Sequence, residues 1–329
     1  MRAVIPVAGF GSRLRPHTFS KPKVLLNVAG KPMISYILDE LKSQGIDKAT
    51  IITGYKGDMV EDYVNENYPE FKTDFVEQTE LLGLGHAIWC GKDTYLDDEL
   101  MMVLGDTIFD ADLSLALKTS NSSIGVKEIE DPRRFGVVVK NEDGSINRLV
   151  EKPQEFISNL AIVGIYYIKN GTLLSNCLTE LIDKKIQTRG EYQLTDALQM
   201  MIDKGEKFAT FPVDGWLDCG KKETMLSTNQ FLLNKFSNQN DKVLNGKNSI
   251  ILEPSFVAKD SVVENSIIGP YATISSGVTV KNSIIKNSII DNNTKLNNVL
   301  LENSLVGCDA MVEGSFNDMN IGDNSELII

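Results

Sequence analysis

Histidine is nearly absent. The 329-residue chain has two, His17 and His86, and neither has a second histidine or a cysteine close by in metal-ligand spacing, so a zinc site is not expected. Cysteine is sparse as well. Cys90, Cys177, Cys219 and Cys308 lie far apart with no CxxC pair, the usage of reduced, mostly buried thiols in a cytosolic protein, and a cytoplasmic location is the expectation. No apolar run reaches the ~18 residues that a membrane span needs, and the N-terminus enters a strand-like run without a signal-peptide pattern. Cations are outnumbered, 33 Lys and Arg against 45 Asp and Glu, for a net charge of −12. That argues against a nonspecific nucleic-acid binder, whose footprint is basic, but leaves room for a local cationic site. Two nucleotide signatures are missing too. From Gly9 the chain reads GFGSRL, with Leu14 where a dinucleotide fingerprint needs its last glycine, and no GxxxxGK[ST] loop occurs.

What is present is ordinary globular material, 42% hydrophobic and 24% charged, in a chain long enough for two domains. Through residue 130, short apolar runs (Ala3–Val7, Ala49–Thr53, Asp74–Glu77, Leu100–Leu104) alternate with helical patterns (Met33–Gln44, Asp58–Asn67, Gly85–Lys92). This alternation predicts an α/β fold with an open, mostly parallel, Rossmann-like sheet. Strand-like runs follow between residues 123 and 168, then helices at Gly171–Lys185 and Leu194–Lys204, a strand at Phe208–Val213 and a closing helix over 221–236. We read 1–236 as one domain and the polar, Asn-rich 237–249 as a linker.

Residues 250–329 hold an internal repeat. Ile250, Phe256, Val262, Ile268, Ile274 and Val280 recur every six residues; Ile284, Ile290 and Leu296 keep the step after a phase shift, Leu300, Val306 and Val312 after another, and Ile321 and Leu327 finish it. One buried aliphatic per six residues predicts a left-handed hexapeptide β-helix of about four coils, with residues 314–329 as an irregular cap.

Chemistry concentrates in residues 2–27, RAVIPVAGFGSRLRPHTFSKPKVLLN. A buried strand breaks into the loop Ala8-Gly9-Phe10-Gly11-Ser12, which places backbone N–H groups where an anion can sit. Arg13, Arg15 and Lys23 beside it fit a polyphosphate better than a single carboxylate. Leu104-Gly105-Asp106 ends another strand, and ligands of such sheets bind beyond the carboxyl ends of the strands.

IPVAGFGSRLRPHTFSKPKVLLNVAGKPMI resembles the signature of the sugar-1-phosphate nucleotidylyltransferases, roughly GxGTRLxPxTxxxPKxLLPVxxKPMI. Ser12 stands for the usual Thr and Asn27 for the usual Pro. Gln78 followed by Gly83-Leu84-Gly85-His86-Ala87 resembles the family's base-recognition loop, and Gly105-Asp106 its metal-binding pair. Phe135-Gly136, Glu151-Lys152-Pro153 and Val163-Gly164-Ile165-Tyr166 resemble its sugar-phosphate side, as does Arg189-Gly190-Glu191 with Leu194-Thr195-Asp196. Trp216-Leu217-Asp218-Cys219-Gly220 resembles the segment whose Asp completes the metal site. These motifs run in order over residues 1–236.

The resemblance implies a GT-A-like nucleotidyltransferase fold and transfer of a nucleotidyl group from a pyrimidine nucleoside triphosphate, dTTP or UTP, to a hexose-1-phosphate, best glucose-1-phosphate. It implies Mg²⁺ on Asp106 and Asp218. It implies nucleotide contacts from Ala8, Gly9, Gly11, Ser12, Arg13, Gln78, Gly83 and Asp106, and sugar-phosphate contacts from Gly136, Glu151, Lys152, Gly164 and Glu191. Arg13, Lys23, Asp106, Lys152 and Asp218 would carry the reaction. Such a transfer holds two anions together and neutralises developing charge, so no separate base is needed. Taken singly these residues have plainer readings, a turn or N-cap for an aspartate and a solvated surface for a lysine. Ala8-Gly9 is closer to the uridylyltransferase form, while the spacing of Gln78 and GLGHA is that of thymidylyltransferases. Two alternatives remain. A non-catalytic regulatory subunit would have a broken phosphate or metal site, yet all five residues are present. Related hexapeptide β-helices belong to acyltransferases with a histidine base, and residues 87–329 contain no histidine. The β-helix is therefore expected to be structural, serving homo-oligomerisation or an allosteric platform.

Overall fold

The computed structural model describes residues 1–236 and 246–315. The chain folds into two compact units. One comprises Met1–Leu26 and Lys31–Met225; the other joins Asn27–Gly30 to the chain from Leu226 onward.

The first unit is built on one nine-stranded mixed sheet. Its Rossmann-like half is parallel: β1 (Arg2–Pro6), α1 (Met33–Ser43), β2 (Lys48–Thr53), α2 (Gly57–Asn67), β3 (Lys72–Glu77), α3 (Leu84–Cys90) and β4 (Leu100–Val103). β1 pairs with β2 and β4, and β2 with β3, all parallel. β5 (Thr107–Asp110) leaves the sheet. Then come β6 (Ser122–Glu128), β7 (Gly136–Lys140), β8 (Ile146–Glu151) and β9 (Leu160–Ile168), followed by α4 (Gly171–Asp183), α5 (Leu194–Asp203), β10 (Phe208–Pro212), β11 (Gly215–Asp218) and α6 (Lys222–Phe236). β9 is antiparallel to β4, β6 and β7, so the sheet turns mixed beyond β4. Burial explains the apolar strands. In β1, Ala3 and Ile5 pack with Ile34, Ile37 and Leu41 of α1 and Val60 and Val64 of α2. Val4 faces the opposite layer of Ile88, Leu174, Leu178, Leu198 and Met201 from α3, α4 and α5. With both faces covered, successive residues are all buried, and the run is apolar rather than alternating. Each such aliphatic contributes about 1.5–3 kcal/mol by its burial.

The second unit is a parallel β-helix of three sheets with five, four and four strands. Val263, Ile268, Ile274, Val280, Ile285, Ile290 and Leu296 fill its interior, with Ile251, Val257, Leu301, Val306 and Val312 packed against them. Five expected inward positions are therefore off by one. Ile250, Val262, Ile284 and Leu300 are 43–79% exposed, and Phe256 lies outside the interior cluster; the residue turned to the interior is the next one along, Val263 and Ile285 buried and Ile251, Leu301 and Val257 partly so. Both residues of these strand pairs are apolar, and the pleat sends them to opposite faces. A strict period of six presumes eighteen residues per coil, whereas equivalent positions are 17 apart early in the helix and 16 later. The wealth of asparagine is conformational. Asn248, Asn265, Asn282, Asn287, Asn293, Asn298 and Asn303 hold positive φ at the corners, a region asparagine tolerates well. Pairing begins at Gly246–Lys247, inside the segment read as linker. Ile321, Leu327 and the cap from residue 316 on lie outside the described residues.

Candidate active site

A cavity of about 440 Å³ opens in the first unit, beside the ends of β1 and β4. Ala8, Gly9, Gly11, Ser12, Arg13, Lys23, Gln78, Gly83, Asp106 and Glu191 all line it. The glycine loop follows β1. Gly11 sits at φ +60, and a Cβ there would stand 2.9 Å from Lys23 Cβ, so the loop lies against the root of that lysine. Gly11 O accepts the Thr18 hydroxyl at 3.0 Å and the Leu14 N–H at 2.9 Å, which fixes the turn. Gly105, after β4, donates its N–H to Pro6 O, and a Cβ on it would meet Val7 Cγ1 at 2.4 Å. Only glycine lets the ends of β1 and β4 approach this closely.

The charged groups converge there. Lys23 Nζ lies 2.9 Å from Asp106 Oδ2, with the lysine side chain 9% exposed and the carboxylate 49%. β11 runs antiparallel to β5 with Asp218 opposite Thr107, the neighbour of Asp106. Two aspartates remote in sequence thus end on adjacent strands. The Asp218 carboxylate accepts the Gly220 N–H at 2.9 Å. A Cβ on Gly220 would stand 2.8 Å from both Asp218 Oδ1 and Arg13 Nη2, so Arg13 reaches the same turn. Arg15 takes no part in the cavity lining, and its guanidinium lies over the Phe19 ring at 5.0 Å. Two carboxylates suit a hard divalent cation that takes its remaining ligands from phosphate and water. Among the described residues no group of three metal-ligating side chains occurs.

At the other end of the cavity, Gln78 follows β3 and is 5% exposed. Its Nε2 donates to Gly83 O at 3.1 Å and lies 3.1 Å from His86 Nδ1. Both amide hydrogens are thereby engaged, and Oε1 is the group left for a ligand. Gly83, at φ +115, has its Cβ position filled by Tyr192 O at 2.6 Å and Glu191 Cβ at 2.9 Å; the chain's own backbone demands glycine here.

Beyond Glu191 lies a second polar cluster. Glu151 is fixed by the Thr195 hydroxyl at 2.7 Å on Oε2 and by Lys152 Nζ at 3.3 Å on Oε1. Gly136 leaves room for this pair, since a Cβ would come within 3.1 Å of Glu151 Oε2. Lys152 holds φ +43, stabilised by Arg189 Nη2 donating to its carbonyl at 2.7 Å and by its own N–H on Phe135 O. Gln193 Nε2 donates to Glu191 at 3.0 Å. Asp196 is half-buried; burial first, and then the charge of Glu151, hold its carboxyl above the usual range. Gly164, at φ +86, admits the Leu104 side chain and accepts the Leu104 N–H. Gly136, Glu151, Lys152, Gly164 and Asp218 do not line the cavity itself. His86, Leu84, Leu104, Arg189 and Thr195 stand inside the sequence motifs without a role of their own, and Leu81, which joins Leu84 and Leu104 in the apolar wall, stands in none. A lone histidine and ordinary leucines carry no signal without the fold.

The comparisons with known proteins agree with this geometry. A bifunctional protein GlmU from Methanocaldococcus jannaschii is 38% identical over 265 residues, which is 80% of this chain and 60% of that protein. This chain thus matches less than two thirds of that relative's length. The UTP–glucose-1-phosphate uridylyltransferase AglF of Haloferax volcanii is 33% identical over 68% of this chain and 93% of its own length. Among solved structures, UDP-glucose pyrophosphorylase complexed with UDP-glucose superposes with a TM-score of 0.61 at 26% identity, covering 71% of this chain and 98% of that one. The nucleotidyl transferase family model matches residues 2–235, and the chain belongs to that family.

Proposed function

We propose that the chain transfers a nucleotidyl group from UTP or dTTP to a hexose-1-phosphate, glucose-1-phosphate first, giving the nucleoside diphosphate sugar and pyrophosphate. The observation that carries this reading is the Lys23–Asp106 pair set in one cavity with the glycine loop and Arg13. A phosphate oxygen of the sugar phosphate attacks the α-phosphorus, the bond to the bridging oxygen of the β-phosphate breaks, and that oxygen leaves with pyrophosphate. The nucleophile is already an anion, so the work is positioning and charge stabilisation. Loop N–H groups and Arg13 hold the triphosphate and take up the charge on the leaving group. Lys23 lies between the α-phosphate and the incoming anion, which Lys152 binds. Glu151 and Glu191, acceptors only, receive sugar hydroxyls. Asp106 and Asp218 would hold a divalent cation, Mg²⁺ in this reading, which neutralises phosphate charge when bound. The uridylyl specificity in the AglF name and the UDP-glucose in the similar structure support the uracil form.

Purified protein with Mg²⁺ and a matrix of triphosphates and sugar phosphates is expected to release pyrophosphate with UTP or dTTP and glucose-1-phosphate; no release in any combination refutes the reading. Asp106→Asn and Asp218→Asn should each abolish turnover with the fold intact by circular dichroism, and a wild-type rate in either removes the cation assignment. Self-association through the β-helix belongs to the same reading. Ile250, Ile267, Ile284 and Leu300 stand in register on one sheet, three of them well exposed. Leu300→Glu is expected to lower the mass measured by light scattering, and an unchanged mass would place any interface elsewhere.

A further inference from the structure

We infer that His86 is a positioning residue that decides which edge Gln78 presents to the base, and that through it base selectivity depends on pH. The inference rests on the assignment of the cavity to a pyrimidine nucleoside triphosphate.

The argument begins with hydrogen-bond polarity. Gly83 O, a carbonyl, only accepts, so the atom 3.1 Å from it is the Gln78 amide nitrogen. The same nitrogen is 3.1 Å from His86 Nδ1, which must therefore accept. His86 is then the neutral tautomer with its proton on Nε2, and the ring also meets the backbone of Glu80. Gln78 cannot turn its amide over without facing oxygen against oxygen at Gly83. Its Oε1 is left as an acceptor, matching N3–H of uracil or thymine. Cytosine has a bare N3 at this point, so acceptor would meet acceptor. A hydrogen-bonding site rejects such a mismatch far more strongly than an apolar pocket rejects a missing methylene.

The groups around the ring set the protonation. Burial lowers its pKa below the ordinary histidine value, against the opposing pull of the Glu80 carboxylate and carbonyl. The Cys90 sulfur is 3.9 Å from both ring nitrogens, and burial holds that thiol protonated. Trp89 stacks on His86 at 5.8 Å with Lys92 over its own ring, and Tyr192 lies at 6.4 Å. The ring is neutral at pH 7. In acid, Nδ1 gains a proton and confronts the Gln78 amide donor with a donor. Turning the amide over relieves this at the expense of the Gly83 bond, and shows the base an NH₂ that suits cytosine N3.

The test is the ratio of kcat/KM for UTP to that for CTP between pH 5 and 8 with one sugar phosphate. The ratio cancels the ionisation of the phosphates, which titrate alike in both triphosphates. In the wild type it should hold steady above pH 7 and fall about tenfold or more by pH 5. In His86→Ala, with Gly83 O alone left to orient the amide, it should be lower than the wild-type value above pH 7 and independent of pH. His86→Asn, whose Oδ1 can accept where Nδ1 does, should restore most of it and make it independent of pH. A ratio flat with pH in the wild type, or falling in parallel in His86→Asn, overturns the inference while leaving the cavity assignment standing. If Gln78→Ala keeps the wild-type ratio, or no pyrimidine triphosphate is used, the cavity assignment fails and takes this inference with it.

Discussion

Lys23 shows how one side chain can be committed before any substrate arrives. Its stem is buried against the glycine loop and its ammonium sits on Asp106, the more exposed partner. In the proposed reaction the same charge must also serve the anions that meet at the α-phosphate. Lys23→Met keeps the length and apolar stem but removes the charge. A group aimed at charge that develops in the transition state is worth about 10²–10³ in kcat, so Lys23→Met is expected to slow pyrophosphate release by that factor. The urea midpoint should move little, because Asp106 is half-exposed and solvent replaces its partner. A near-normal kcat with a raised KM would instead assign Lys23 to ground-state binding.

At the scale of elements, the site depends on close approaches that tolerate no Cβ. Gly105→Ala would drive a methyl to 2.4 Å from Val7 Cγ1 and 2.9 Å from Pro6 O, so the end of β1 or of β4 must move. Overpacking of this kind costs about 1–3 kcal/mol, and the shift lands on the turn that carries Asp106. The variant is expected to lose both stability in urea and turnover, whereas Gly144→Ala, which has no neighbour within 4 Å but sits at φ +85, should lose some stability and keep its turnover. Equal behaviour of the two would contradict the packing argument. The elements were legible because strands buried on both faces must be apolar throughout: Ala3 to Val7 and Leu100 to Leu104 could not read otherwise. The glycine loop, Lys23 and Asp106 were legible because a polyphosphate site needs such groups close to strand ends, and Gln78 only through the family resemblance. The β-helix phase was not legible at Ile250-Ile251 or Ile284-Ile285, where both residues are apolar and composition cannot choose the inward one. Nor was His86, whose partner Gln78 meets it only once β3 and α3 are placed.

At the scale of the whole chain, the division into units does not follow the order of the sequence. Asn27–Gly30, four residues after Lys23 and its 3₁₀ turn, belong to the unit built on the β-helix. Asn27 is 7% exposed and donates through Nδ2 to Asp291 Oδ1 at 2.7 Å; Asp291 is 6% exposed and also accepts the Asn292 N–H. Ala29 N donates to Asn229 Oδ1, which also accepts the Thr273 hydroxyl, while Asn229 Nδ2 donates to Tyr271 O. Gly30, at φ +96, leaves its Cβ position to the Phe256 ring, 2.6 Å away. No local pattern announces these pairings, because their partners lie from 42 to 264 residues apart in sequence. They make a definite stability prediction. Asp291→Ala strips a charged acceptor from a buried amide and leaves Asn292 Oδ1, at 3.4 Å, as the nearest substitute. An unsatisfied buried donor costs about 1–3 kcal/mol. Asp291→Ala should therefore lower the urea midpoint by that amount, and Asp291→Asn, which keeps an acceptor without the charge, by less. Removing both partners as Asn27→Ala with Asp291→Ala should cost less than the sum of the single variants, since neither group is then left unpaired. Strict additivity in that cycle would mean that Asn27 and Asp291 act independently, and that other contacts hold residues 27–30 in the unit.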